Sequence, residues 1–204
     1  MIGQRNDGPR DGETVNPISS DRLRALAFLV VLLAFSCGTP KPPPEEAAAT
    51  IGVRIGNTAP AWELPRLDGA GMFRSEDVRG KVVILNFWAS WCGPCKRELP
   101  ELQKLYGEYA EQGVLVVGIS VDDIAGQARS MAKELGITFP LVLDVSSQAT
   151  ASTYPFGTLP TSLVLDRRGR VRAKHSGYTP ITIRQMRSEI ETILKEAANE
   201  TNTQ

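Results

Sequence analysis

Two cysteines two residues apart, Cys92-Gly93-Pro94-Cys95, stand between a buried-strand pattern and a helix pattern, and this junction constrains the fold more than any other feature. Residues 81–88, KVVILNFW, form a nearly continuous apolar run of strand formers, which predicts a strand covered on both faces. From Cys95 onward, Leu99, Leu102, Leu105, Tyr106 and Tyr109 recur at helical spacing. The dithiol therefore belongs at a helix N-terminus, where its chemistry is favoured. The thiolate is the nucleophile in disulfide exchange, and a free cysteine with a pKa of about 8.5 supplies little of it at neutral pH. A helix start carries about half a positive charge and unpaired N–H groups, which favour the anion. Two intervening residues put both sulfurs in the first turn, within bridging reach. Pro94 suits that turn, where a missing N–H costs nothing. Cys92, at the exposed tip, is expected to attack, and Cys95, one turn in and more buried, to resolve the mixed disulfide.

The rest of the folded part alternates strand and helix patterns. Residues 114–121, VLVVGISV, repeat the buried-strand signal, and residues 141–143 and 162–165 are shorter versions. Residues 170–174 alternate after Asp166-Arg167-Arg168-Gly169, a hairpin turn signal. Residues 124–135 and 183–194 are two further amphipathic helix candidates. Residues 59–73, with Pro60, Pro65 and Asp68-Gly69, read as an irregular entry with a short hairpin. The predicted architecture is an α/β fold: a central mixed sheet, helices on both faces and an N-terminal hairpin extension. No repeat or second linker divides residues 52–198, which read as one domain, followed by a disordered tail at 199–204.

Charge and composition narrow the function. Lys+Arg and Asp+Glu both number 23, so no basic excess points to nucleic acid. The single histidine excludes a zinc site that needs two. A lone C-x-x-C could be half a zinc site, but no second pair accompanies it. It could also be an inert structural bridge, but so small a loop gains little entropy from closure.

The front of the chain carries an address. Residues 1–24 are polar, and Arg22 and Arg24 then precede an apolar run from Ala25 to Phe35 closed by Ser36 and Cys37. Twelve residues make about 18 Å of helix, short of the roughly 30 Å bilayer core, so the stretch reads as a secretory signal. Cys37-Gly38 in this position resembles the lipobox of bacterial lipoproteins. Ala34 and Ser36 fit that pattern, while Phe35 is bulkier than usual. The resemblance implies lipidation of Cys37; an uncleaved anchor and an ordinary cleaved signal remain open. Residues 38–51 begin a proline-rich, then acidic-Ala, tether. At about 3.1 Å per residue it could hold a domain about 35–40 Å from a membrane. Removing residues 1–37 takes away four charges of each sign, so attachment must come from lipid or the apolar segment and not from a polybasic patch.

The string Phe87-Trp88-Ala89-Ser90-Trp91-Cys92-Gly93-Pro94-Cys95-Lys96 resembles the thioredoxin active site, with Pro100 at the position of that fold's helix proline and Thr158-Leu159-Pro160-Thr161 at its cis-proline loop. Ala59-Pro60-Ala61-Trp62-Glu63-Leu64, the C-x-x-C-x-x-Glu-x-Pro run through Pro100, and Leu165-Asp166-Arg167-Arg168-Gly169 are more similar to the membrane-tethered TlpA/ResA-like thiol–disulfide oxidoreductases. The resemblance covers about residues 52–195. It implies a thioredoxin-like fold and a cis Pro160 beside the dithiol. Leu159 would pair its backbone with a substrate segment, and Trp91, Gly93 and Pro94 would complete the substrate-binding surface. It also implies that Glu98 lies near the dithiol and tunes proton transfer. Asn86 stands where thioredoxin has a buried acid six residues before the first cysteine, so Glu98 or water must move the proton. His175 has no partner histidine and reads as a strand-end residue.

The expected activity is reduction of protein disulfides outside the cytoplasm, for example in cytochrome c maturation, with a membrane thiol transporter as electron donor. A monomer is expected, with no cofactor beyond the Cys92–Cys95 disulfide and no metal. A peroxiredoxin-like peroxidase is the alternative enzyme, but Leu85 and Ala89 occupy the positions where that family places a proline and a Thr/Ser. A non-catalytic copper-handling protein would need cysteines three residues apart plus a histidine.

Overall fold

The computed structural model describes residues 50–201. The expectations for the signal, for lipidation of Cys37 and for most of the tether lie outside the described residues. Among the described residues, seven strands and three α-helices follow in order: β1 (Glu63–Pro65), β2 (Met72–Arg74), β3 (Val82–Trp88), α1 (Gly93–Tyr109), β4 (Val114–Ser120), α2 (Ala125–Glu134), β5 (Leu141–Leu143), β6 (Thr161–Leu165), β7 (Val171–Ser176) and α3 (Pro180–Thr201). β1 and β2 form the expected hairpin, turned by Asp68, whose Oδ1 accepts the Ala70 N–H at 2.9 Å. The main sheet has the order β5-β4-β3-β6-β7. β3, β4 and β5 are parallel, and β6 and β7 are antiparallel additions. Asp166 builds the β6–β7 turn by accepting the N–H groups of Arg168 and Arg170 at 3.0 and 2.9 Å.

β3 is buried along its whole length, as a central strand paired on both edges must be. Its alternate residues feed two cores. Val82, Ile84 and Trp88 join Leu99, Leu102 and Leu105 of α1, Ala128 and Met131 of α2, and Met186 and Ile190 of α3. Val83, Leu85 and Phe87 join Trp62, Leu64, Val78 and Tyr154. Both faces are covered, but unevenly: the apolar stripes of all three α-helices belong to the first core. The second is closed by the hairpin, a 3₁₀ turn at Ser75–Val78 and the loop before β6. Strand order explains this. β3→β4 and β4→β5 step in the same direction across the sheet, so two right-handed crossovers lay α1 and α2 on one face.

Candidate active site

The parallel strands β3 and β4 end side by side, with Trp88 opposite Ser120. The residues just beyond them, 89–92 and 121–123, form the floor of the site. Cys92 is the N-cap of α1 in extended conformation, and its Sγ accepts the Cys95 N–H at 3.2 Å. Pro94 lies in the first turn, and the helix continues through Pro100. The two sulfurs are bonded as a disulfide, with Cα atoms 5.3 Å apart. Cys95 has no exposed surface. Cys92 is itself 5% exposed, so in the oxidised form it is not an exposed tip; Trp91, at 69%, is. The difference arises because the Cys92 side chain is turned inward to the bridge and to the helix N–H.

Trp91, Cys92 and Pro94 line one side of a groove of about 610 Å³. Phe156, Thr158 and Leu159 line another. The Leu159–Pro160 peptide is cis. Pro160 is buried and Gly93 exposed, and neither lines this groove, so the structure brings Trp91, Pro94 and Leu159 together around Cys92 and leaves those two outside the lining.

Two buried carboxylates flank the dithiol in the chain, Glu98 after it and Asp122 beyond β4. Glu98 lies on α1, 1% exposed, and is not a solvated helix carboxylate. One Oε accepts the Asn86 amide at 2.7 Å, and the same amide nitrogen donates to Ser162 Oγ at 2.8 Å. Burial pushes the Glu98 carboxyl from 4.5 up to about 7, against smaller opposing pulls from the Asn86 hydrogen bond and the charge of His175. The Asn86 Oδ1 is buried without a partner, so the amide is committed to donating. Asn86 thus replaces a titrating group with a fixed donor, and Glu98 is left as the ionisable side chain next to it.

Asp122 was not singled out in the sequence. It has no exposed surface and holds the turn before the dithiol. The Ser90 N–H reaches both its oxygens at 3.1 and 3.0 Å, the Ser90 hydroxyl donates at 2.6 Å, and the Ser120 hydroxyl donates at 2.8 Å. The signal that could have found it is an acid immediately after a buried parallel strand, at the strand ends where α/β sheets build sites. His175 also has more company than its sequence suggests: its Nε2 lies 2.9 Å from Glu189 Oε2 on α3.

A disulfide at a helix start, open to a groove and backed by an acid ionising near neutrality, can exchange thiols and pass a proton. No group of three or more His, Cys, Asp or Glu among the described residues could hold a metal ion. Known proteins agree with this chemistry. The AhpC/TSA family model matches residues 55–174. The thiol-disulfide oxidoreductase ResA of Geobacillus thermodenitrificans is 40% identical over 120 residues, covering 59% of this chain and 68% of that protein. ResA of Bacillus thuringiensis is 35% identical over 119 residues, covering 58% and 68%. Among solved structures, one described as the thiol:disulfide interchange protein DsbE of Chlorobium tepidum superposes with a TM-score of 0.66 at 31% identity, over 70% of this chain and 99% of that one. One described as a protein disulfide isomerase of Bacteroides thetaiotaomicron gives 0.65 at 29%, over 74% and 98%. The chain belongs to the thioredoxin-like AhpC/TSA family and is a thiol–disulfide oxidoreductase similar to ResA.

Proposed function

We propose that this oxidoreductase works as a reductant of protein disulfides outside the cytoplasm, with Cys92 as nucleophile, Cys95 as resolving thiol and Glu98 as proton acceptor. The observation that carries the reading is the Cys92–Cys95 bridge at the start of α1, with Cys92 on the groove shared by Leu159. In the reduced protein the Cys92 thiolate attacks one sulfur of a substrate disulfide. A mixed disulfide forms and the other substrate sulfur leaves as a thiolate. Cys95 gives its proton to the Glu98 carboxylate, and its thiolate attacks Cys92. The Cys92–Cys95 bond forms and the second substrate sulfur is released. The substrate gains two electrons, and a membrane dithiol donor restores the pair.

Trp91, Gly93, Pro94, Leu159 and Pro160 shape the surface that receives the substrate strand. Gly93-Pro94 favours the reducing direction, since thioredoxin lies near about −270 mV and DsbA near about −120 mV. Cytochrome c maturation is a task that fits a reductant of this kind. Cys37, after its apolar run, supports tethering to the envelope membrane by lipid; no helix among the described residues is long and apolar enough to cross a membrane. The protein acts as a monomer in this reading.

Alkylation of the reduced protein at neutral pH tests the roles. Cys92 should be labelled first, and Cys95→Ser should accumulate mixed disulfides with its substrates. Faster labelling of Cys95 would reverse the assignment. A fatty-acid analogue should label wild type and not Cys37→Ala; equal labelling rejects the lipid anchor. Peroxide consumption tests the peroxidase alternative, against which Leu85 and Ala89, both buried, place neither proline nor hydroxyl before Cys92.

A further inference from the structure

We infer that His175, held by Glu189, is a positioning residue that sets the charge state of Glu98 through the sheet. The inference extends the role proposed for Glu98 and rests on it for its effect on exchange. Antiparallel pairing of β6 and β7 places His175 opposite Ser162. Directly opposed residues share a face of the sheet. Ser162 accepts the Asn86 amide that also holds Glu98. Glu98, Asn86, Ser162 and His175 therefore cross the layer between sheet and helices in sequence, from α1 through β3 and β6 to β7. At the far end the ring Nε2 meets Glu189 Oε2 of α3 at 2.9 Å, with 11% of the His175 side chain and 30% of the Glu189 side chain exposed.

Glu98 holds the Asn86 amide of β3, which also reaches Ser162 of β6; His175 of β7 stands opposite Ser162, and Glu189 of α3 meets the His175 ring. Among these, His175 carries the basic side chain. The other ionic groups near this stretch of α3 and β7 are engaged elsewhere: Arg187 with Glu108 and Tyr109, Glu191 with Tyr109, and Lys174 with the Pro155 carbonyl. An imidazolium in this position pulls the Glu98 carboxyl down, in favour of the anion. Glu189 fixes the ring by its Nε2 and so fixes where that charge stands. Glu98 then keeps its charge to lower pH than burial alone would allow.

The test uses substitutions of opposite sign. His175→Gln removes the cation, and His175→Lys makes it permanent. Carboxyl ¹³C NMR on the oxidised protein reads the Glu98 midpoint directly. The pH profile of the reaction between the reduced protein and oxidised glutathione reads the consequence. The midpoint should rise by about half a pH unit in His175→Gln and fall in His175→Lys, because an opposite charge nearby favours the ionised form. The acidic limb of the exchange profile should follow, and His175→Gln should leave that limb unmoved in a Glu98→Gln background. An unmoved midpoint, or a shift of the same sign in both variants, would overturn the inference, since loss of packing does not reverse with charge. A midpoint that moves as expected while the exchange limb stays put would uphold the charge coupling and remove Glu98 as the proton acceptor.

Discussion

Asp122 and Glu98 are carboxylates with 0% and 1% exposed surface, one on the turn before the dithiol and the other on the helix after it, and the protein solvates them in different ways. Asp122 collects the Ser90 N–H, the Ser90 hydroxyl and the Ser120 hydroxyl. Glu98 receives a single amide, from Asn86. A buried anion given several donors becomes part of the scaffold, because removing it strands those donors. A buried anion given one donor is held close to the balance between charged and neutral, which is where a proton-transfer group is useful. Donor count, more than burial, separates the clamp from the acid.

The sharpest way to break the comparison is to remove the clamp. Asp122→Ala leaves the Ser90 N–H and the hydroxyls of Ser90 and Ser120 without their acceptor. At about 1–3 kcal/mol for each buried donor left unsatisfied, offset where water reaches half-exposed Ser90, the loss should be about 4 kcal/mol. Denaturant unfolding of the oxidised protein measures it. Exchange should slow by a similar factor at every pH, because the turn carrying Cys92 loosens. A loss under about 1 kcal/mol would show that the clamp holds nothing.

Neutralising Glu98 should act in the opposite direction. Burial raises its folded-state pKa above the ordinary 4.5, to about 7. The group therefore favours the fold fully only while it is protonated, below about pH 4.5, and that contribution is lost as pH rises through 7. A shift of this size corresponds to about 3 kcal/mol between the two ends of the window. Glu98→Gln keeps the shape and cannot ionise, so its stability relative to wild type should grow by up to that amount from pH 5 to pH 8. Urea unfolding at the two pH values reads the difference. Its exchange rate should fall, and the rate-against-pH curve should lose the limb near neutrality. Parallel stability curves for the two proteins would place the Glu98 titration outside this window.

How much of this was legible in the chain depends on distance in sequence. The strand before Cys92, the helix after it and the Asp166–Gly169 turn are local patterns, and each appears within a residue or so of its expected place. The strand begins at Val82, not Lys81, because exposed Lys81 lies outside the pairing with β4 and β6. Glu98 could be placed on the face of Cys95 from spacing alone, but its complete burial could not, since that depends on sheet and helix closing over it. Asp122 and Ser90 are 32 residues apart, and both types usually decorate solvated loops. They meet only because β3 and β4 run parallel with Trp88 opposite Ser120. The uneven cover of the sheet has the same origin: local periodicity marks a helix but does not say which way the next strand steps. His175 was visible as a strand-end residue, whereas its partner Glu189 belongs to the following helix.

The smallest effect tests whether the clamp and the acid are separate devices. Ser90→Ala removes one of three donors to Asp122, the hydroxyl at 2.6 Å, and leaves the Ser90 N–H and the Ser120 hydroxyl in place. Ser90 is half-exposed, so water can reach the vacated side, and the cost should be about 1 kcal/mol, that of one ordinary hydrogen bond. Glu98 shares no hydrogen-bond partner with this cluster; its bond runs to Asn86 and from there to Ser162. The variant should therefore show a slightly lower unfolding midpoint and an exchange profile with the same inflection as wild type. If Ser90→Ala costs as much as Asp122→Ala, the hydroxyl and not the carboxylate is the hub of the turn. If instead the inflection moves, charge or strain passes between the two carboxylates through the dithiol turn, and donor count alone no longer distinguishes them.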